Sequence, residues 1–252
     1  MLRISDFHAK LGRQISHRSR QLLALALNPR CVLCQLAMTG NESAKHRYSL
    51  CSTCISQLQR CQNNCRRCAL PLPMDHIDSA TICGECQKQQ SPIEQIIALG
   101  WYQSHLRHLI QQFKYQGQLA AGRALSGAWL HHCQIDKLPQ ALIPVPSHRR
   151  KIRQRGFNPA ALLAGDFGDQ LSLPVDLKAC VRLHPGTSQM GKDKTERWRQ
   201  VQHMYRVLRC DYDHVAIVDD VVTTQATATT IAKQLKEHRV CRVDVWCIGR
   251  TP

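Results

Sequence analysis

From about residue 95 onward, short apolar runs alternate with stretches whose apolar residues recur at helical intervals. Ile96, Ile97, Ala98 and Leu99, followed by Trp101 and Tyr102, predict a strand. Leu106, Leu109, Ile110 and Phe113 keep the helical period, and Gly117 ends that helix. A second helix is expected from Leu119 to His132. Ala141, Leu142 and Ile143 form a short run closed by Pro144 and Pro146, a strand entering a loop. A helix follows from Pro159 to Gln170. Val215, Ala216, Ile217 and Val218 are apolar without alternation, as in a parallel strand buried on both faces. Ala226 to Glu237 predicts the next helix and Val240 to Ile248 a last strand. Strands alternating with helices imply an α/β fold with a mostly parallel sheet flanked by helices.

The N-terminal third has a different texture. In residues 1–30, Leu2, Ile4, Leu11, Ile15, Leu22, Leu23, Leu25 and Leu27 fall at roughly helical spacing, and Pro29 stops the pattern. Arg3, Lys10, Arg13, Arg18, Arg20 and Arg30 face a single acid, Asp6. Such a basic amphipathic helix either packs on the module behind it or lies on a membrane surface or nucleic acid. Its longest apolar run, Leu22 to Leu27, is far short of the roughly 20 residues that cross a bilayer. It is also short for a signal-peptide core and lacks a small-residue cleavage site.

Of the 14 cysteines, nine lie between Cys31 and Cys86. Eight form Cys-x-x-Cys pairs: Cys31/Cys34, Cys51/Cys54, Cys65/Cys68 and Cys83/Cys86. Each pair points two thiolates at one ion from a tight turn, and two such turns complete a tetrahedral zinc shell. Sixteen residues separate Cys34 from Cys51 and fourteen separate Cys68 from Cys83. Those gaps suit a hairpin joining two knuckles. The simplest assignment is sequential, 31/34/51/54 and 65/68/83/86, with interleaved pairing as the alternative; Cys61 has no partner at this spacing. A thioredoxin-like redox site would use one such pair on a βαβ unit. Filled four-thiolate sites leave no open position, so two Zn²⁺ ions would be structural. A secreted disulfide scaffold would be shorter and would not confine its cysteine pairs to one end, so a reducing cytoplasm is expected. The expected organisation is a basic arm at 1–30, a double zinc ribbon at 31–92 and an α/β domain at 93–252.

Net charge is +16, from 34 Lys and Arg against 18 Asp and Glu, which favours polyanionic partners. His148 to Arg155 holds five cations, Arg149, Arg150, Lys151, Arg153 and Arg155, and no acid. They can neutralise a pyrophosphate or track a nucleic-acid backbone, or form a solvated face. Lys192 to Arg199 adds four cations and two acids. Phe113, Tyr115 and Phe157 lie near cations and can stack bases, with core packing the plainer role for Phe113. Ligands in parallel sheets bind beyond the carboxyl ends of strands. There the apolar strand Val215–Val218 runs into Asp219 and Asp220, then a hydroxyl-rich turn with Thr223, Thr224 and Thr227, then a helix. Backbone N–H groups of the turn and the helix start make an anion cradle. Acids beside such a cradle suit a sugar's hydroxyls, so the stretch fits a ribose 5-phosphate.

That stretch resembles the phosphoribosyl-pyrophosphate (PRPP) signature of type I phosphoribosyltransferases. Phe113 to Gly117, the Pro144–Pro146 loop, Arg155 to Asn158, the Ser188–Gln189 step and the acidic-pair loop also occur in the order seen in the ComF competence-protein family. That family places cysteine zinc knuckles before its transferase-like domain, and the resemblance covers roughly residues 28–250.

The resemblance implies a cytoplasmic protein of natural transformation that helps bring single-stranded DNA into the cell, with other competence or DNA-processing proteins as partners and a place at the inner face of the membrane. It implies that Asp219 and Asp220 grip ribose, that Thr223, Thr224, Gln225, Ala226 and Thr227 form the phosphate loop, and that Lys114 contacts phosphate. Gln225 departs from the glycine usual there; a turn of this kind asks for positive φ, which costs a non-glycine residue about 1 kcal/mol. Phosphoribosyl transfer would be a dissociative displacement at the anomeric carbon, with Asp219, Asp220 and Arg155 in the catalytic site. Mg²⁺ and cations such as Arg149, Arg153 or Arg155 would assist the leaving pyrophosphate. The alternatives are a salvage phosphoribosyltransferase acting on a free base, and a catalytically inactive zinc-ribbon protein that binds DNA or protein.

Overall fold

The computed structural model describes residues 30–38, 49–73, 81–184 and 203–252. The basic arm at 1–29, Ser188, Gln189 and the Lys192–Arg199 run lie outside them. Among the described residues the elements follow in the order α1 (Ser52–Ser56), α2 (Gly84–Lys88), β1 (Gln95–Trp101), α3 (Ser104–Gln116), α4 (Leu119–His132), β2 (Ala141–Pro144), α5 (Arg149–Arg155), α6 (Pro159–Leu171), β3 (Cys180–Arg182), β4 (Tyr205–Val207), β5 (His214–Val222), α7 (Ala226–Glu237) and β6 (Arg242–Arg250).

Four strands form one sheet in the order β1-β6-β5-β2, with every neighbouring pair parallel. This is the α/β architecture expected from the sequence. Side chains alternate across each strand, and the buried run of β5 divides accordingly. Ala216 and Val218 join a core with Leu106, Leu109, Ile110 and Phe113 of α3, Trp129 of α4 and Phe167 of α6. Val215 and Ile217 join a second core with Ala228, Ile231, Ala232 and Leu235 of α7. Trp129, Phe167 and Trp246 form an aromatic nucleus with centroids 4.6–5.9 Å apart.

The sequence pattern misses three features. The strand expected to stop before Pro144 includes it, because β2 is the sheet's edge and proline is tolerated where no ladder donor is needed. The cationic run 149–155 is a helix, α5, closed by Gly156 at φ 86°. β3 and β4 form an antiparallel pair that packs on α7, where Gln234 bonds the backbone of Tyr205 and Val207.

The cysteine-rich segment docks on the free edge of β1. Arg60 bridges Gly100 antiparallel, and Trp101 N–H donates to the Gln59 carbonyl at 2.8 Å. A Cβ on Gly100 would lie 2.5 Å from that carbonyl oxygen, so the approach depends on glycine. Cys31, Met38, Leu50, Ile55 and Leu58 share one apolar core with Leu99 and Leu106. At the amino end of the sheet the fully buried Asp244 carboxylate is held by His214 at 2.9 Å, Gln95 at 3.1 Å and Arg242 at 3.1 Å.

Candidate functional site

The eight paired cysteines gather into two groups, Cys31/Cys34/Cys51/Cys54 and Cys65/Cys68/Cys83/Cys86, with all ligand atoms of a group within 4.8 Å of one another. The sequential assignment therefore holds. Cys34 Sγ lies 3.8 Å from Cys51 Sγ, and Cys68 Sγ lies 3.8 Å from Cys83 Sγ. Tetrahedral Zn–S bonds of about 2.3 Å place sulfurs about 3.8 Å apart, so either group can hold one Zn²⁺. Burial disfavours thiolates at Cys31 and Cys65, but backbone N–H groups outweigh it and bring both down to about 7. Burial pushes Cys68 up to about 11, and Cys54 and Cys86 upward as well. Packed thiols of this kind cannot all ionise alone; a divalent cation would supply the missing charge.

At the carboxyl end of the sheet, between β2 and β5, lies a cleft of about 160 Å³. Its walls come from distant parts of the chain. They are Lys114 and Tyr115 of α3, Val145–Ser147 after β2, Lys151 and Arg155 of α5, Arg182 and Tyr205 of the β3–β4 pair, Asp219 and Asp220 of β5, and Thr227 of α7. A larger concavity, about 490 Å³, is the seam between the cysteine-rich segment and β1. It lies away from the strand ends where acids, cations and a helix start converge.

Asp219 and Asp220 were expected in the loop after the strand, but the strand continues through Val222. Asp219, Val221 and Val222 pair with Cys247, Gly249 and Arg250 of β6, and that ladder overrides the polar character of the two acids. Asp220 pairs with Lys114 Nζ at 2.7 Å. Burial and the neighbouring Asp220 raise Asp219 to about 8. Burial opposes the charge of Lys114, but Asp220 and then Asp219 outweigh it and raise its pKa.

The basic run divides by helical phase. Residues four apart share a helix face, and Lys151 and Arg155 line the cleft, while Arg149, Arg150 and Arg153 are exposed and stand outside it. Burial, then Arg182, Arg155 and Lys114, lower the pKa of Lys151. Arg155 stacks over the Tyr115 ring with Cζ 4.8 Å from the centroid. Sequence reasoning missed Arg182 and Tyr205. Arg182 Nη1 donates to the Tyr205 hydroxyl at 3.1 Å.

Beyond β5, Thr223, Thr224 and Gln225 form the turn, Ala226 opens α7, and Thr227 beside it lines the cleft. Gln225 is the residue before α7, at φ 63° and ψ −2°, the left-handed backbone expected where glycine is usual. Its carbonyl accepts from Thr229 N–H at 2.8 Å. The helix's first amides are left without intrahelical acceptors. The turn is tied behind by Arg250, which is 3% exposed. Its Nε donates to the Cys68 carbonyl at 2.8 Å, and its Nη1 donates to the carbonyls of Val222, at 3.2 Å, and Thr223. No spacing or run in the sequence signals this contact.

A parallel α/β domain with paired acids near the carboxyl end of a strand, cations around them and two four-cysteine groups that can hold zinc sets the class of protein. No family model matches the chain. It is 31% identical over 235 residues to Competence protein F of Haemophilus influenzae, covering 88% of this chain and 97% of that protein. It is 29% identical over 228 residues to DNA utilization protein YhgH of Escherichia coli (strain K12), covering 88% and 96%. The Salmonella typhimurium protein of the same name is 27% identical over 228 residues, with 88% and 96% covered. The chain belongs to the ComF family of competence proteins.

Proposed function

We propose that this protein handles incoming single-stranded DNA in natural transformation and that its cleft binds PRPP or a related 5-phosphorylated ribose. Relatives named for competence and for DNA utilization support the first part. One observation carries the second: Lys114, Lys151, Arg155 and Arg182 surround Asp219 and Asp220 beside the start of α7. Four cations about two acids leave the cleft with an excess of positive charge that suits an anion. The carboxyls take the ribose hydroxyls. Thr227 and the amides of the 223–227 turn take the 5-phosphate. The cations, with Mg²⁺, take a pyrophosphate. If phosphoribosyl transfer follows, the protein positions the ribose and neutralises the leaving group.

Arg149, Arg150 and Arg153, outside the cleft, are the candidates for DNA phosphates. Within this reading the protein works in the cytoplasm, at the inner face of the membrane and alongside other DNA-processing proteins. Among the described residues no helix is long and apolar enough to cross a membrane.

Calorimetric titration with PRPP, with and without Mg²⁺, tests the cleft. Asp219→Asn combined with Asp220→Asn should weaken binding about tenfold or more, the scale of hydrogen bonds to charged groups. Unchanged affinity would refute the role of the acids. Single-stranded DNA binding should fall with salt and lose part of that dependence when Arg149, Arg150 and Arg153 become Gln.

A further inference from the structure

Three aromatic residues lie near the cations of the cleft, and the fold treats them differently. Phe113, 1% exposed, stacks on Phe157 inside the core with centroids 5.3 Å apart. Tyr115 is 66% exposed and stands on the cleft's rim. It occupies the last turn of α3, which Gly117 ends at φ 67°. Arg155 occupies the last turn of α5, which Gly156 ends. Two helix ends thus bring a phenol ring and a guanidinium together at the mouth of one pocket, 4.8 Å apart. The cation orients the ring through its quadrupole and leaves a flat aromatic surface facing water.

The cleft, about 160 Å³, is small beside the roughly 300–1,000 Å³ of drug-sized sites. It suits a sugar phosphate, and a larger ligand would extend over the rim. Tyrosine rings and guanidinium planes are the surfaces on which nucleobases stack. We infer that the Tyr115–Arg155 pair is a base-stacking subsite, so that the cleft takes a ribonucleotide: a phosphorylated ribose inside, gripped by the acids, and its base on Tyr115. This rests on the reading of the cleft as a ribose-phosphate site.

Titration of the full-length zinc-loaded protein with ribose 5-phosphate and with AMP separates the two readings. AMP should bind roughly tenfold more tightly, the scale of one base–aromatic stack. Tyr115→Ala should bring AMP to the affinity of ribose 5-phosphate, and Tyr115→Phe should keep the advantage. Tyr115 is exposed, so neither change threatens the core; ribose 5-phosphate binding by both variants checks the cleft directly. Equal wild-type affinities, or an AMP advantage that survives Tyr115→Ala, would overturn the base subsite and leave the ribose-phosphate reading standing. Failure of both ligands to bind would overturn both.

Discussion

Asp219 shows how a strand can store a functional group at a cost. Its folded pKa, about 8, lies above the ordinary carboxylate range, so the folded protein holds a proton that the unfolded chain gives up near pH 4. Stability from this group is fully present below pH 4 and is lost as pH rises toward and through 8. Asp219→Asn should therefore raise the melting temperature of the ligand-free protein more at pH 9 than at pH 5; equal gains would contradict the raised pKa of Asp219. Gln225 offers a second reading at this scale. Left-handed backbone costs a non-glycine residue about 1–2 kcal/mol, and glycine returns about 0.4–1 kcal/mol of unfolded-state entropy. Gln225→Gly should stabilise the protein by about 0.5 kcal/mol in denaturant unfolding. Residues such as Asp219, Asp220 and Thr227 were legible because acids and hydroxyls following a buried apolar run are conspicuous. Arg182 and Tyr205 were not, because three-residue strands carry no periodicity and their place depends on packing against α7.

At the scale of elements, the apolar runs foretold strands and helices wherever burial is two-sided or helically phased. They failed where tertiary pairing decides. β5 runs on through two acids because β6 lies alongside, and α5 is a helix without a buried residue, so no apolar stripe announces it. The edge of β1 makes a testable case. Gly100→Ala would drive a Cβ against the Gln59 carbonyl, and relief requires the docked segment to move. We expect a loss of about 1–3 kcal/mol, as for overpacking, and faster hydrogen exchange at the Cys61 and Trp101 amides, whose acceptors lie across that seam. Exchange unchanged at both amides would show that the seam is looser than the structure indicates.

For the molecule as a whole, the cysteine-rich segment and the cleft form a connected structure through Arg250. Its guanidinium joins the Cys68 carbonyl to the carbonyls that begin the turn after β5. Losing zinc from the second centre should therefore loosen that turn. Cys65→Ser with Cys68→Ser should release one metal ion and weaken PRPP binding about fivefold, the scale of one hydrogen bond. Cys31→Ser with Cys34→Ser should release its own ion with a smaller effect on PRPP. Metal analysis with titration checks both, and equal effects would remove Arg250 as the link. The Cys-x-x-Cys spacing made both four-cysteine groups legible, but not the Arg250 contacts, because a lone arginine near the C-terminus gives no local cue to what it will touch. The central claim is that the cleft between β2 and β5 seats a phosphorylated pentose. A crystal structure with PRPP bound tests it most directly: the account predicts the ribose diol on Asp219 and Asp220 and the 5-phosphate against the 223–227 turn, whereas PRPP lodged elsewhere, or a cleft closed by its own side chains at saturating ligand, would contradict it.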